Sequence, residues 1–156
     1  YDDDPSNSNI YGNLYNWYAV DDERGVCPEG FHVPSDNEWT ILTDYLGGES
    51  VAGGKMKETG TEHWNSPNTG ATNESGFTAL PGGLRYCKGS TDMFTGEILT
   101  ISGEYVEKGE YGYFWFSTEN SSGSSSKWTQ IRSSSSSVGY ANRLKEFGAS
   151  VRCLKD

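Results

Sequence analysis

The side chains that could perform chemistry are few in this chain of 156 residues, which contains only two histidines. His32 alternates with apolar neighbours beside a predicted helix start, which favours a structural role over catalysis, and His63 lies in a turn-rich stretch that assigns it no role. The chain has no Gly-x-Ser-x-Gly nucleophile elbow, phosphate loop, dinucleotide fingerprint or HExxH helix. A glycosidase-type pair of carboxylates stays an alternative, because sequence alone does not show which carboxylates are close. We therefore predict that the protein is not an enzyme.

The three cysteines, Cys27, Cys87 and Cys153, include no CxxC pair, which argues against a zinc ribbon or a thioredoxin-like site. Any two of them can form a disulfide, so three pairings are possible. Cys87 follows Arg85 and precedes Lys88, and such neighbouring cations can lower a thiol pKa. We interpret Cys87 as a surface thiol without a chemical role.

Two acidic stretches offer oxygen ligands of the kind that calcium prefers. One combines Asp2, Asp3 and Asp4 with Asn7 and Asn9, and the other is the run 21–23. Neither has the spacing of an EF-hand loop, so both are interpreted as solvated acidic loops. We predict no cofactor and keep calcium as the alternative.

The composition excludes several classes of partner. A net charge of −10 argues against nucleic acid and against an anionic membrane surface, since both are bound through clustered Lys and Arg. No run of about 18 apolar residues is present, so no membrane span is predicted. Five Trp, ten Tyr and six Phe beside 20 Gly indicate an ordered, loop-rich domain with an aromatic core.

Helices are predicted only in the first third of the chain. Helical spacing of apolar residues predicts a short helix over 13–20, preceded by a polar loop or arm at 1–13. Ser35 and Glu38 form a capping-box pattern before the apolar stripe of a second helix over 36–46, which Gly47 and Gly48 end. No convincing helical periodicity follows Gly48.

Short strands are predicted in the rest of the chain, at 77–80, 111–117, 127–132, 138–143 and 149–154. Two early helices followed by strands predict an α+β fold with a small, mostly antiparallel sheet. The absence of an internal repeat predicts a single domain over 1–156.

Serine dominates residues 117–137, where 11 of the 21 residues are serines. Such composition is typical of a flexible linker. Trp128, Ile131 and Val138 interrupt the runs, however, so we interpret the segment as two exposed polar loops or strand edges within the domain.

Six blocks spread over nearly the whole chain form a recognisable set: NLYNWYAV at 13–20, CPEGFHVPSDNEW at 27–39, TDYLGG at 43–48, GKMKETG at 54–60, HWNSPNTGATNESGFTALPGG at 63–83 and SVRCLKD at 150–156. They resemble the Fibrobacter succinogenes major paralogous domain. That family usually carries a further N-terminal segment, so the resemblance implies that part of the native N-terminus is absent here.

The resemblance implies a C-type-lectin-like fold of the formylglycine-generating-enzyme branch, with long loops that present a ligand face. It also implies a disulfide between Cys27 and Cys153, which would leave Cys87 free and fits an extracytoplasmic location, secreted or on the cell surface. The reactive cysteine pair of the enzyme branch has no counterpart in this sequence.

Some relatives resemble the variable proteins of diversity-generating retroelements, whose mutated segment precedes a constant ending such as 150–156. The serine-rich stretch fits that pattern, although Gln130, Tyr140 and Ala149 depart from it, and ordinary drift of a paralogue is the alternative. In either case a binding face is predicted from rigid aromatics among small polar residues. Its predicted ligand residues are Trp128, Gln130, Arg132, Ser134, Ser136, Tyr140, Asn142, Arg143 and Glu146.

Trp128 fits the core as well as the surface. The expected partner is a protein or a glycan, bound by a bacterial adhesin or receptor domain. The alternatives are a structural module of a surface fibre or lipoprotein and, more remotely, an enzyme of the formylglycine-generating type.

Overall fold

The computed structural model describes residues 4–91, 98–121 and 123–156, in which helices come early and antiparallel strands come late. The predicted α+β class is confirmed. In chain order the elements are α1 (Pro5–Tyr11), α2 (Trp17–Val20), β1 (Phe31–His32), α3 (Asp36–Tyr45), α4 (Glu49–Met56), β2 (Leu84–Thr91), β3 (Ile98–Val106), β4 (Tyr111–Glu119), β5 (Ser125–Arg132), β6 (Val138–Leu144) and β7 (Leu154–Lys155). None of the helices in these ranges has the length and apolarity needed to cross a bilayer.

Helix α3 matches its prediction closely, because its start is encoded locally. The Ser35 hydroxyl accepts from the Glu38 backbone N–H, and the Glu38 carboxylate accepts from the Ser35 backbone N–H. This reciprocal pair satisfies two backbone donors that the helix leaves without partners. The helix turns Trp39 into the core.

Helix α2 is shorter than the predicted 13–20. The Asn16 side chain accepts a hydrogen bond from the Ala19 backbone N–H, so Asn16 is the cap and the helix starts at Trp17. Trp17 is buried, and its indole N–H donates to the Phe116 carbonyl at 2.9 Å.

Two helices contradict the sequence interpretation. Residues 5–11 form α1 rather than a loop, with Asp4 as the cap that accepts from the Ser6 backbone N–H. Helix α4 lies beyond Gly48, where none was expected. Its packing surface contains Gly53 and Gly54, where a Cβ atom would overlap main-chain carbonyls of neighbouring loops. A helix that packs through glycines has no apolar stripe to detect.

The central sheet has the order β4-β5-β6 and is antiparallel throughout. It confirms the strands predicted near 111–117, 127–132 and 138–143. The strand predicted at 77–80 is wrong: only Ala79 makes an isolated bridge, to Lys57, and Thr78 has a φ of 53°. Of the predicted 149–154 strand, Leu154 alone lies in a strand, β7.

Two further pairs complete the sheets. The β2–β3 hairpin was not predicted, and it joins β4 through a bridge between Gly83 and Gly112. The β1–β7 pair places Phe31 opposite Lys155, close to the bonded Cys27–Cys153 disulfide that the resemblance implied.

The central sheet separates two hydrophobic clusters. The cluster on the side of α3 and α4 includes Trp39, Phe114, Phe116 and Ile131, and the cluster on the side of α2 includes Trp17, Tyr113, Trp115 and Trp128. Adjacent residues of β4 alternate between the two clusters, as strand geometry requires.

Candidate functional site

The central sheet distributes the predicted ligand residues over both of its faces. Residues that pair across strands share a face, and successive residues of a strand alternate. Trp128, Gln130 and Arg132 therefore share one face of β5, and Arg143 joins them because it pairs with Ser126. Tyr140, opposite Thr129, lies on the other face together with Asn142. The expectation of one contiguous patch over 120–146 is wrong.

Trp128 belongs to the core, which decides between the two interpretations that the sequence allowed. Its side chain is 1% exposed and packs against Trp115 at 5.2 Å between ring centroids. The Arg143 guanidinium covers it at 5.4 Å from the ring. Trp128 supports a surface without reaching a ligand itself.

Tyr140 is also structural rather than ligand-facing. Its hydroxyl forms a hydrogen bond with the Thr43 hydroxyl of α3, and its ring meets Phe116 edge-on at 5.8 Å. Burial raises the pKa of Tyr140. The residue ties β6 to α3, while its neighbour Asn142 is exposed on the same face.

The face that carries Trp128 presents a row of five aromatic rings. Consecutive ring centroids are separated by 5.4, 4.5, 6.3 and 4.9 Å along the series Tyr111, Tyr113, Trp128, Phe147 and Tyr86. The middle of the row is buried, whereas Tyr86 at one end is 40% exposed and Tyr111 at the other is half-buried. We call this row, with Gln130, Arg132 and Arg143, the aromatic face.

The polar side chains of the aromatic face have hydrogen-bonding capacity left over. Gln130 and Arg132 make no side-chain hydrogen bond or ion pair with any residue in the described ranges. Arg143 donates only to the neighbouring Asn142 carbonyl, at 2.9 Å. Gln130 lies across Gly139, where a Cβ atom would come within 3.1 Å of its amide nitrogen. The face thus offers two guanidinium groups and an amide to an incoming group.

A hydrogen bond fixes the position of Tyr113 within the aromatic row. The Tyr113 hydroxyl donates to the Glu107 carboxylate at 2.7 Å. Burial, followed by this hydrogen bond, raises the pKa of Tyr113, so the donor remains protonated. A preformed surface of this kind loses little conformational entropy on binding.

The serine segment after β5 is anchored by its backbone rather than displayed as a tolerant loop. Lys57 is fully buried, and its ammonium donates to the carbonyls of Thr69, Arg132 and Ser135 at 2.9, 3.1 and 3.0 Å. Removal from water lowers the pKa of Lys57 to about 8, while the three acceptors favour its charged form. The ammonium holds residues 132–135 against α4 and against the loop that contains Thr69.

The two predicted serines differ in what surrounds them. The Ser136 hydroxyl donates to the Ser50 carbonyl at 3.0 Å, and its own carbonyl accepts from the Gly54 N–H at 2.8 Å. Ser134 is exposed, and no hydrogen bond of its side chain is found within the described chain. Only Ser134 of this pair has space for a larger side chain.

Glu146 borders the aromatic face beside Phe147 and is exposed. Its carboxylate accepts from the Tyr18 hydroxyl at 3.2 Å, and its carbonyl accepts from the Cys87 thiol at 3.0 Å. Cys87 is half-buried and not bonded to another cysteine. Both side chains therefore help to hold the loop before Phe147.

Both histidines have carboxylate partners. His32 contacts Asp156 through Nδ1 at 2.6 Å and Glu38 through Nε2 at 2.9 Å. The hydrogen bonds to Asp156 and Glu38 raise the pKa of His32. His63 contacts Glu58 through Nδ1 at 2.8 Å. Since both nitrogens of His32 are occupied, it fits the structural role that the sequence favoured.

The acidic stretches were the candidate calcium ligands. Asp2 and Asp3 lie outside the described residues, Asp4 caps α1, and Asp22 forms an ion pair with Arg24 at 2.7 Å. Within the part of the chain that is described, no three His, Cys, Asp or Glu residues converge as metal ligands.

Three residues of the aromatic face were not among the predicted ligand residues, namely Tyr86, Tyr111 and Tyr113. The alternation of Tyr111 and Tyr113 was a usable signal, because residues two apart share a strand face. No local signal placed Tyr86 beside Phe147, since that contact joins residues 61 positions apart, one in β2 and the other in the bend after β6.

A family model described as the Fibrobacter succinogenes major domain matches residues 1–155. No curated protein and no solved structure matches the chain.

Proposed function

The chain belongs to the Fibrobacter succinogenes major domain family, and we propose that this member is a binding domain that holds a protein or glycan ligand on its aromatic face. The proposal is for recognition rather than catalysis, as in an adhesin or receptor domain. A C-type-lectin-like fold is part of the same proposal.

The observation that supports this proposal is that the aromatic face combines a rigid row of rings with hydrogen-bond donors that remain available to a ligand. Tyr86 and Tyr111 offer apolar ring surface at either end, and between them Gln130, Arg132 and Arg143 offer donors. Aromatic and arginine side chains are the types that contribute most to binding energy at interfaces. Arginine pairs well with carboxylates, so we expect a ligand rich in acceptors, such as an acidic glycan or an acidic protein surface.

An extracytoplasmic location is also proposed. The Cys27–Cys153 disulfide links residues 126 positions apart, which corresponds to roughly 5 kcal/mol in the chain-entropy model. Such bonds persist in oxidising compartments and are rare in the cytosol. Fractionation of cells that express the native gene tests the location, and mass measurement of the recovered protein with and without reductant tests the disulfide.

Diversification of the face by a retroelement is proposed for a smaller set of positions than the sequence suggested. These positions are exposed or partly exposed, so substitution there leaves the fold intact. They are Gln130, Arg132, Ser134 and Arg143. A near-copy of the coding segment in the neighbouring DNA that differs at adenines within these codons would support diversification. Differences confined to the codons of buried residues would contradict it.

A structural or assembly role is the second candidate, and one observation favours it. Ile41 and Tyr45, one turn apart on α3, are 60% and 85% exposed. Contiguous exposed apolar surface marks interaction sites, and we infer that this pair contributes to a contact between subunits. Sedimentation of the wild type and of Tyr45→Ala measures whether this pair drives association.

The test of the binding proposal is a glycan and protein array probed with the wild type, followed by titration of the best ligand. We expect Tyr86→Ala and the double variant Arg132→Ala, Arg143→Ala to weaken binding at least about tenfold, since each removes an interface anchor. Tyr45→Ala and Arg24→Ala are the matched controls on other surfaces, and we expect changes below about twofold. Equal losses in both sets, or a ligand whose binding is insensitive to all four variants, would refute the aromatic face as the site.

A further inference from the structure

A second recessed site lies away from the aromatic face, between α3 and the end of the chain. It is a cavity of about 320 Å³ bordered by α3, the loop at 75–77 and the segment 152–154. This volume lies at the lower end of the range of small-molecule sites. Pockets of this size enclose one ring and a short chain rather than a polymer segment.

The walls of this cleft are mainly apolar. Pro34, Trp39, Leu42 and Phe77 line it, and the Trp39 and Phe77 rings lie 5.7 Å apart at a tilt of 52°. Trp39 also stacks on Phe116, so its ring cannot rotate without disturbing the core. A flat apolar group fits such walls better than a branched polar one.

Arg152 supplies the charge at the edge of the cleft. Its guanidinium lies 4.7 Å from the Phe77 ring centroid, and the residue is exposed. It makes no hydrogen bond or ion pair within residues 4–91, 98–121 and 123–156. The other charged wall residue, Glu38, is already engaged by Ser35 and His32. Arg152 is therefore the charged wall group with capacity for a ligand.

The cleft is held open by covalent and local structure. The Cys153 disulfide fixes one wall, and the capping box at Ser35 fixes the start of α3.

We propose that this cleft binds a small aromatic monocarboxylate, with its ring against the apolar wall that Trp39, Leu42 and Phe77 form and its carboxylate on Arg152. The guanidinium can accept a carboxylate in the two-bond geometry that lysine does not provide. This site is separate from the aromatic face, and either proposal can fail alone.

The probe is 3-phenylpropanoate, titrated into the ¹⁵N-labelled full chain, with 3-phenylpropan-1-ol as the uncharged match. We expect saturable shifts of the Trp39 indole N–H and the Gly76 amide, with the acid binding about tenfold more tightly than the alcohol, as one charge-assisted contact provides. Arg152→Gln should make the two probes bind equally. Arg24→Gln is the control, because the Arg24 side chain is 90% exposed and does not line the cleft, and it should change the affinity of neither probe.

Leu42→Trp enlarges a half-buried side chain of α3 in the apolar wall, so it fills the cleft and should abolish the shifts of both probes. Its circular dichroism spectrum shows whether the fold is kept, and Arg152→Gln remains decisive if it is not. The proposal is overturned if the acid and alcohol bind the wild type equally, if the shifts fall outside the cleft, or if no saturable shift occurs up to millimolar probe.

Discussion

The Lys57 ammonium donates to the Ser135 carbonyl across 3.0 Å although the lysine side chain is completely buried. It makes two further bonds to carbonyls and forms no ion pair within the described chain. A single buried cation therefore satisfies three backbone acceptors and connects α4 to the serine segment that follows β5.

Replacing Lys57 by Met should lower the free energy of unfolding by about 3 kcal/mol or more. Each carbonyl left without a donor costs about 1–3 kcal/mol when buried. Urea denaturation of both proteins measures the difference. Lys55→Met is the control: Lys55 pairs with Glu74 at 2.7 Å near the surface, and its loss should cost less than about 1 kcal/mol. Equal effects of the two changes would contradict the structural role of Lys57.

Ser134 and Ser136 should respond oppositely to a large side chain. Ser134→Tyr places the ring in solvent and should change stability by less than about 0.5 kcal/mol. Ser136 faces Gly70, where even an added Cβ would lie 2.8 Å away, so Ser136→Tyr should cost about 2 kcal/mol or more through overpacking. Thermal unfolding monitored by tryptophan fluorescence checks both, and a destabilised Ser134→Tyr would show that the segment is closed throughout.

The helix α4 glycines should resist replacement by Ala. Intrinsic propensity alone predicts that Gly53→Ala or Gly54→Ala stabilises a helix by about 1 kcal/mol. Here the new methyl groups would overlap the Ser137 and Gly70 carbonyls, so we expect losses of about 2 kcal/mol or more. Chemical denaturation gives the sign directly. Val51→Ala, on the exposed side of the same helix, should stay within about 1 kcal/mol, and a gain at Gly53 would mean that α4 does not pack through its glycines.

The contribution of His32 should depend on pH. Asp156 and Glu38 raise the pKa of His32 above the unfolded value of 6.5, so the folded state holds the proton more tightly. The stability that it contributes is fully present below pH 6.5 and is lost as the pH rises through the folded-state pKa. The melting temperature of the wild type minus that of His32→Gln should be largest near pH 5.5 and shrink by pH 8.5.

Asp156→Asn provides the control for the His32 prediction. It removes the carboxylate that contributes most to the raised pKa, so the pH dependence attributed to His32 should weaken while the ring remains. A difference between wild type and His32→Gln that stays constant with pH would show that His32 acts by packing alone.

Much of the fold could be predicted, because its signals are local. The capping box at Ser35 specified α3 within one residue, and the aromatic run at 111–117 specified β4. The β2–β3 hairpin was missed because its strands are joined by pairing between residues as distant as Leu84 and Val106. The predicted ligand residues do not share one surface, since β5 is the central strand of a sheet with two faces.

The sequence alone determined the class of the fold, the family resemblance and the aromatic character of the core, since these depend on composition and on short-range pattern. Tertiary structure decided which aromatics reach solvent. Arg143 closes over Trp128, Tyr140 turns to Thr43, and Tyr86 meets Phe147 because strand register and sheet packing bring distant residues together. Spacing along a strand specifies that two side chains share a face, but only the elements packed against the sheet determine whether that face is core or surface.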